Sequence, residues 1–545
     1  MIHHLQNDHY PVCGFFEDKY PVPGSRFRVP GTWDLVPNRR RRARTEPGAG
    51  GLHPVPCILY PSPGKVRTSR QVERSMEMAI RFGTAGWRGV IGEDFTFANV
   101  RRLSVVLAHW LQARYESPRV VIGYDTRFLS ERFAEQSARV FARNRIPVWL
   151  CQRDAPHPAI SWAVVRRGAS LGLNFTGSHN LPQYSGIKVI DERGGLMGDE
   201  VTHQWEADVE AYSNHSVIAL TYDEQWVTPI DPRPDYLEQL ARMVPPERLQ
   251  RRLRVVVDPL YGSTREYLES YLTEQTPIEV EPLHSFKDPY FGGYGPEATR
   301  ENLQELIRFV RDGSFDLGLA MDGDGDRFGI VDRDGVYVQP EQVLCILYDY
   351  LLEGRGERGG VVRNIATTHL LDRIAQAHGQ PVIQTPIGYK NAAPYLWRDD
   401  ILVAVEESAG FTLRPHIPDK DGMLACLVAT EVVAQTGEPL MAYWQKIVQK
   451  YGPLYQAKGQ CACDESSFRQ YQQWLRSPPT ALGPYSIHRV ETLDGIKLYI
   501  DDETWLLVRM AGTEPLIRVY AESPHRDTAR RLVQTAIRFM QGEGR

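Results

Sequence analysis

Between residues 119 and 379 the chain repeats one pattern of apolar and polar positions. A short apolar run leads into a polar loop, and apolar residues at helical spacing follow. RVVIGYDTR (119–127) is the first run, and SERFAEQSARVFARN behind it puts Phe133, Val140 and Phe141 on one face at i, i+7 and i+8. RVVVDPLYGS (254–263) with TREYLESYLTE repeats the arrangement, as does GVVRNIATTHLLDRIAQAHG (360–379). Three strand–loop–helix units predict three related α/β domains with mixed sheets. Beyond residue 452, PYSIHRVETLDGIKLYIDDETWLLVRMAGTEPLIRVYAES alternates apolar and polar positions around turns such as Asp494-Gly495. That texture predicts a smaller α+β domain with an antiparallel sheet, closed by a helix from about Arg526. The expected domains are 78–215, 216–335, 336–452 and 453–545. Residues 1–77, which include NRRRRARTEPGAGG, show no sustained period and read as a disordered extension or a start assigned too far upstream.

Composition narrows the function classes. Of 545 residues, 42% are hydrophobic and 24% charged, which is enough apolar sequence for several cores. A net charge of −5 argues against nucleic acid or an anionic membrane as partner. The run Arg39–Arg42 reads as solvated. No stretch approaches the roughly 18 apolar residues of a membrane span, and the N-terminus lacks a signal-peptide core. Seven scattered cysteines suit a reducing cytosol, so the expected location is cytoplasmic. Cys461 and Cys463 have no second pair nearby to make a metal site.

Chemistry concentrates at four strand ends. LGLNF runs into TGSHN, FDLGLAM into DGDGDR, ILVAV into EESAG, and TWLLV into RMAGTEP. Ligands of open α/β sheets bind outside the carboxyl ends of strands, so these loops predict four walls of one cleft. Asp322, Asp324 and Asp326 alternate with glycines, which lets three hard carboxylates converge on Mg²⁺, Mn²⁺ or Ca²⁺. An EF-hand needs Gly sixth and Glu twelfth, where this chain has Arg327 and Arg333. Arg509 beside the Gly512-Thr513 turn suits a phosphate. Glu406 and Ser408 fit either sugar hydroxyls or a salt-bridged loop, with Glu407 expected to point away by alternation. FGTAGWRGVIG (82–92) is neither a dinucleotide fingerprint nor a P-loop. A hydroxyl (Ser178), an amine (Lys188), a cation trap and arginines together suit phosphoryl transfer.

TGSHN…SGIK, DGDGDR, TPIGYKN, EESAG and RMAGTEPLIRVY follow in the order found in the α-D-phosphohexomutases, and FGTAGWRGVIG and DKDGM (419–423) agree. From about residue 78 onward the chain resembles that superfamily. The resemblance implies four domains around a central cleft and a Ser178 carried as phosphoserine. It implies Lys188 as general acid/base, with Arg88 and His179 beside the reacting phosphate. One Mg²⁺ per chain would be held by Asp322, Asp324, Asp326 and Ser178. Substrate would meet Arg327, Gly388, Tyr389, Lys390, Glu406, Ser408, Arg509, Gly512, Thr513 and Arg518. The implied reaction interconverts hexose 1-phosphate and hexose 6-phosphate through a hexose 1,6-bisphosphate, which also serves as activator. The partner is a small sugar phosphate, and the chain is a monomer or a homodimer. Three positions depart from the usual pattern: Leu181 intervenes before Pro182, Ala511 replaces a serine, and Ala409 replaces a glycine. The sugar loop resembles glucose-selective members. A phosphomannomutase or dual-specificity mutase, a weakly catalytic sugar-phosphate-binding paralogue and a phosphatase are the alternatives.

Overall fold

The computed structural model describes residues 80–212, 224–512 and 515–543. The expectations for residues 1–77 and for Thr513 lie outside them. The first sheet has seven strands, in spatial order Phe82–Gly83, Gly86–Val90, Tyr184–Ile190, Leu171–Phe175, Val120–Tyr124, Val148–Cys151 and Val227–Ile230. Val120–Tyr124 and Leu171–Phe175 are buried at every position, which explains why they read as unbroken apolar runs rather than alternating ones. Val227–Ile230 lies past the boundary expected at 215/216, yet it pairs in parallel with Val148–Cys151. The first sheet therefore continues to residue 230. A parallel neighbour needs a long return connection, and the helix Asp199–Ala211 supplies much of it.

The second sheet runs Val336–Val338, Phe328–Asp332, Leu317–Met321, Arg254–Asp258, Glu279–Pro282. The third runs Val382–Thr385, Gly360–Asn364, Ile401–Glu406, Gly410–Leu413. One continuous core joins Val255, Leu319 and Ile330 of the second sheet to Val361, Val403 and Phe411 of the third. The helix Gly422–Thr436 sits in that core, buried from Gly422 to Ala434, so its sequence carries no polar face. The last sheet, Tyr455–Ala462, Leu516–Ser523, Trp505–Met510, Ile496–Tyr499, Arg489–Glu491, is antiparallel throughout and packs on the helix Arg526–Met540. Among the described residues, no helix is long and apolar enough to cross a membrane.

One regularity of the topology positions the chemistry. Leu171–Phe175, Leu317–Met321, Ile401–Glu406 and Trp505–Met510 each pair antiparallel with the strand that follows. All four polar loops are thus hairpin connections, held at both ends by a sheet ladder.

Candidate active site

The serine loop begins where Asn174 pairs with Lys188 across the hairpin, which sets the amine one strand away from the hydroxyl. Ser178 has φ +50°, a left-handed conformation that a residue with a Cβ adopts only under constraint. Arg127 supplies the constraint. Its Nη1 donates to the carbonyls of Leu181 (2.8 Å) and Tyr184 (3.0 Å), and its Nη2 to those of Ser178 and Asn180 (both 2.6 Å). Its Nε donates to Asp125 Oδ2 at 3.1 Å. Leu181, the extra residue of this loop, keeps its carbonyl on Arg127 and leaves its side chain exposed. Sequence reading missed Arg127, although DTR stands at a strand end like the other loops. Arg88 also reaches the loop, donating to the Thr176 carbonyl and to Ala85 O at 3.3 Å.

Ser178 is buried, and its Oγ donates to Asp322 Oδ2 at 2.9 Å. Asp322, Asp324 and Asp326 are all buried, and one oxygen from each lies within 4.8 Å of the others. Burial, reinforced by Asp326 and Asp324, pushes the Asp322 carboxyl well above its ordinary value. Burial, the largest single influence, would raise the other two as well, but Lys188 together with Arg88 at Asp324, and with Lys420 and Arg327 at Asp326, holds both below the ordinary value. Lys188 Nζ lies 2.8 Å from Asp324 Oδ2 and also pairs with Asp326. Asp324 Oδ1 and Asp326 Oδ1 are buried without a hydrogen-bond partner. Convergent hard oxygens with unused lone pairs suit Mg²⁺.

The surroundings add charge and fix positions. Arg327 donates its backbone N–H to Asp322 Oδ1 (3.0 Å) and its Nη1 to Glu297 (3.2 Å). His179 Nδ1 is 3.4 Å from Ser178 Oγ. Burial, followed by Arg327 and Arg88, holds its pKa well below the ordinary value, so the imidazole is neutral. Two further residues, to which sequence reading gave no role although Lys420 lies in the DKDGM stretch, complete the surroundings. His157 donates its backbone N–H to Asp324 O (2.8 Å) and pairs through Nε2 with Asp419 (2.9 Å), and buried Lys420 lies 3.5 Å from Asp326.

In the sugar loop, Glu406 Oε1 accepts from Gly388 N (3.1 Å) and Oε2 from Ser408 Oγ (2.9 Å). Gly388 has φ +110°, as this approach requires. Glu407 does not point away as expected. Asn364 Nδ2 donates to Glu407 Oε2 at 2.5 Å and to Glu406 Oε1 at 3.4 Å, so both carboxylates converge on it. Strand alternation ends at Glu406, and Ala409 turns the chain at φ +65°. Tyr389 is packed in the domain interior, its hydroxyl on Ala404 O (2.8 Å), and Lys390 pairs with Asp199. Arg509, held by Asp494 at 3.2 Å, stands directly opposite Arg518 in the ladder. A Cβ on Gly512 would sit 3.8 Å from Thr84 Oγ1, and one on Gly388 would sit 2.8 Å from Thr84 Cγ2. The 82–86 hairpin therefore meets the loops of the third and fourth domains, and four walls do face one cleft.

Four successive segments match the phosphoglucomutase/phosphomannomutase family: its alpha/beta/alpha domain I at residues 79–216, domain II at 234–335, domain III at 339–451 and the C-terminal domain at 487–538. A crystal structure from Thermus thermophilus, described as a phosphomannomutase, superposes with a TM-score of 0.75 at 32% identity, covering 86% of this chain and 100% of that one. The chain belongs to the α-D-phosphohexomutase superfamily. It is a mutase, an isomerase. Phosphoglucomutase/phosphomannomutase of Thermococcus kodakarensis is 28% identical to this mutase over 470 residues, 84% of this chain and 98% of that relative. A Pyrococcus horikoshii protein described as a phosphoglucosamine mutase is 29% identical over 458 residues, 84% of this chain and 96% of that relative.

Proposed function

We propose that this mutase interconverts glucose 1-phosphate and glucose 6-phosphate by way of a phosphorylated Ser178. The observation that carries the reading is the buried Ser178 hydroxyl donating to Asp322, with Lys188 Nζ 2.8 Å from Asp324. In the first half-reaction the bond from phosphorus to Ser178 Oγ breaks and one to a sugar hydroxyl forms. The proton of that hydroxyl is relayed through Lys188, the nearest amine to the triad, to the Ser178 Oγ left behind, so the half-reaction ends with a serine hydroxyl and Lys188 in its starting state. The hexose 1,6-bisphosphate turns by about half a turn, and the reverse steps move its other phosphate to Ser178. Arg88 steadies the serine loop, while neutral His179 faces Ser178 Oγ without adding charge. Asp322, Asp324 and Asp326, with the serine phosphate, would hold Mg²⁺, which supplies positive charge to the transferring phosphoryl group. Glu406 and Ser408 would bind sugar hydroxyls, Arg509, Gly512 and Thr513 would anchor the unreacting phosphate, and Arg327, Lys390 and Arg518 would add further substrate contacts, Arg327 from beside the aspartate loop. Gly388 offers Glu406 its N–H, and Tyr389 supports the loop from beneath.

Glucose preference rests on the resemblance of Glu406-Glu407-Ser408 to glucose-selective loops. Relatives described as phosphoglucosamine mutases favour glucosamine phosphate as the second reading. Coupled assays with glucose, glucosamine and mannose 1-phosphates, each with a trace of the matching bisphosphate, decide among the three. Equal or higher kcat/KM on mannose or glucosamine 1-phosphate rejects the glucose preference. Intact-mass measurement should find one phosphate on a fraction of the wild type and none on Ser178→Ala. Full turnover by Ser178→Ala rejects the serine mechanism.

A further inference from the structure

A cavity of about 530 Å³ lies in the third domain, lined by none of the residues assigned to the reaction. That volume falls within the range of small-ligand sites. Leu396, Leu402, Leu413 and Ile417 give it an apolar lining, and Trp397 stands at its side with 52% of its surface exposed. The Arg193 guanidinium lies over the Trp397 ring, 6.0 Å from its centroid, and the ring surface that stays exposed beside the aliphatic walls offers a stacking face for a flat ring.

The charges are unequal in a useful way. Among those lining the cavity, Glu357 pairs with Arg355 at 3.2 Å and Asp399 with Arg414 at 2.9 Å. Arg358 is exposed and makes no hydrogen bond or ion pair with any described residue. One uncommitted guanidinium remains, and it favours an anion, phosphate above all. The cavity wall also communicates with the chemistry. His416 pairs through Nε2 with Asp421 Oδ2 at 2.8 Å, and Asp421 Oδ1 caps the helix Gly422–Thr436. The next residue, Gly422, donates its N–H to Gly325 O of the aspartate loop at 3.0 Å, and a Cβ there would lie 2.3 Å from Arg327 O. Displacing His416 thus shifts a tight contact on the loop that carries Asp322, Asp324 and Asp326.

We propose that this cavity is an effector site for a nucleoside phosphate, its base on Trp397 and its phosphate on Arg358. The test is isothermal titration calorimetry of the full chain with UMP, UDP and ADP, with uridine and inorganic phosphate alone as controls. Mg²⁺ is kept in excess, and glucose 1-phosphate is present at saturation in a parallel series. The expected result is saturable binding of at least one nucleotide, unaffected by the sugar phosphate and weakened about tenfold or more in Arg358→Ala and in Trp397→Ala. Both side chains are exposed, so both variants should fold, and melting temperatures check this. Turnover at saturating nucleotide should change by about twofold or more in the wild type and not in the variants. Absence of binding up to millimolar nucleotide overturns the proposal. So do competition by glucose 1-phosphate, equal binding by the variants, and binding that leaves turnover unchanged.

Discussion

Arg127 offers a sharp test of how the serine loop is held. A guanidinium has five N–H donors, and here all five are used, four on loop carbonyls and one on Asp125. Arg127→Lys preserves the charge but offers three donors, so at least two buried acceptors lose their partner. Each unsatisfied buried acceptor costs about 1–3 kcal/mol, which gives about 2–6 kcal/mol for the variant. Asp125 softens the loss, because it also accepts from Ser130 Oγ (2.7 Å), Gly177 N (3.2 Å) and Arg127 N (3.0 Å). The lower half of the range is therefore expected. Against a typical domain stability of about 5–15 kcal/mol the protein should still fold. With fewer ties, Ser178 relaxes from its left-handed conformation and the hydroxyl leaves Asp322. The assay is guanidinium unfolding followed by fluorescence, alongside coupled turnover with glucose 1-phosphate. Arg127→Lys should lose kcat by more than KM changes, with a lower unfolding midpoint. Stability within about 0.5 kcal/mol of wild type and an undiminished kcat would refute the clamp.

Asp324→Asn removes one of three anionic oxygens from the cation trap, so the Mg²⁺ concentration for half-maximal activity should rise by roughly tenfold or more; activity indifferent to EDTA removes the triad from the mechanism. Asn364→Leu strips the donor from Glu406 and Glu407 and the acceptor from Thr367, and should destabilise by about 2–4 kcal/mol and raise KM for the sugar phosphate. An unchanged KM would separate Asn364 from substrate binding. Lys497 provides a pH test: burial, then Arg363, lowers its pKa to about 7 from an ordinary 10.5. Between those values the unfolded chain holds a proton that the folded one has released, so stability rises with pH through that window and the gain is lost as pH falls to about 7. From pH 7 to 9 the wild type should gain roughly 2 kcal/mol relative to Lys497→Met, read as a difference in melting temperature. A difference that stays flat across that range contradicts the depressed value.

What could be read from the sequence was whatever carries its pattern within a short window. Asp322, Asp324 and Asp326 announce themselves by alternation with glycine, and Leu171–Phe175 by its apolar run before Ser178. These belong to single hairpins, so local spacing is also spatial arrangement. Arg127 is different: its partners are backbone carbonyls 51 to 57 positions away, and backbone leaves no signature in side-chain pattern. His157 and Asp419, 262 positions apart, meet only because the first domain abuts the loop before Gly422–Thr436. Glu407 misled for the opposite reason, since alternation was extended one residue beyond the ladder that enforces it. The same logic explains the strand Val227–Ile230, whose pairing depends on a sheet edge left open by Val148–Cys151. Chemistry concentrated in hairpin loops is legible, whereas the residues that aim one loop at another become visible only when the domains are assembled. In a mutase whose cleft must accept the same sugar in two orientations, those aiming residues decide whether four legible loops act as one site.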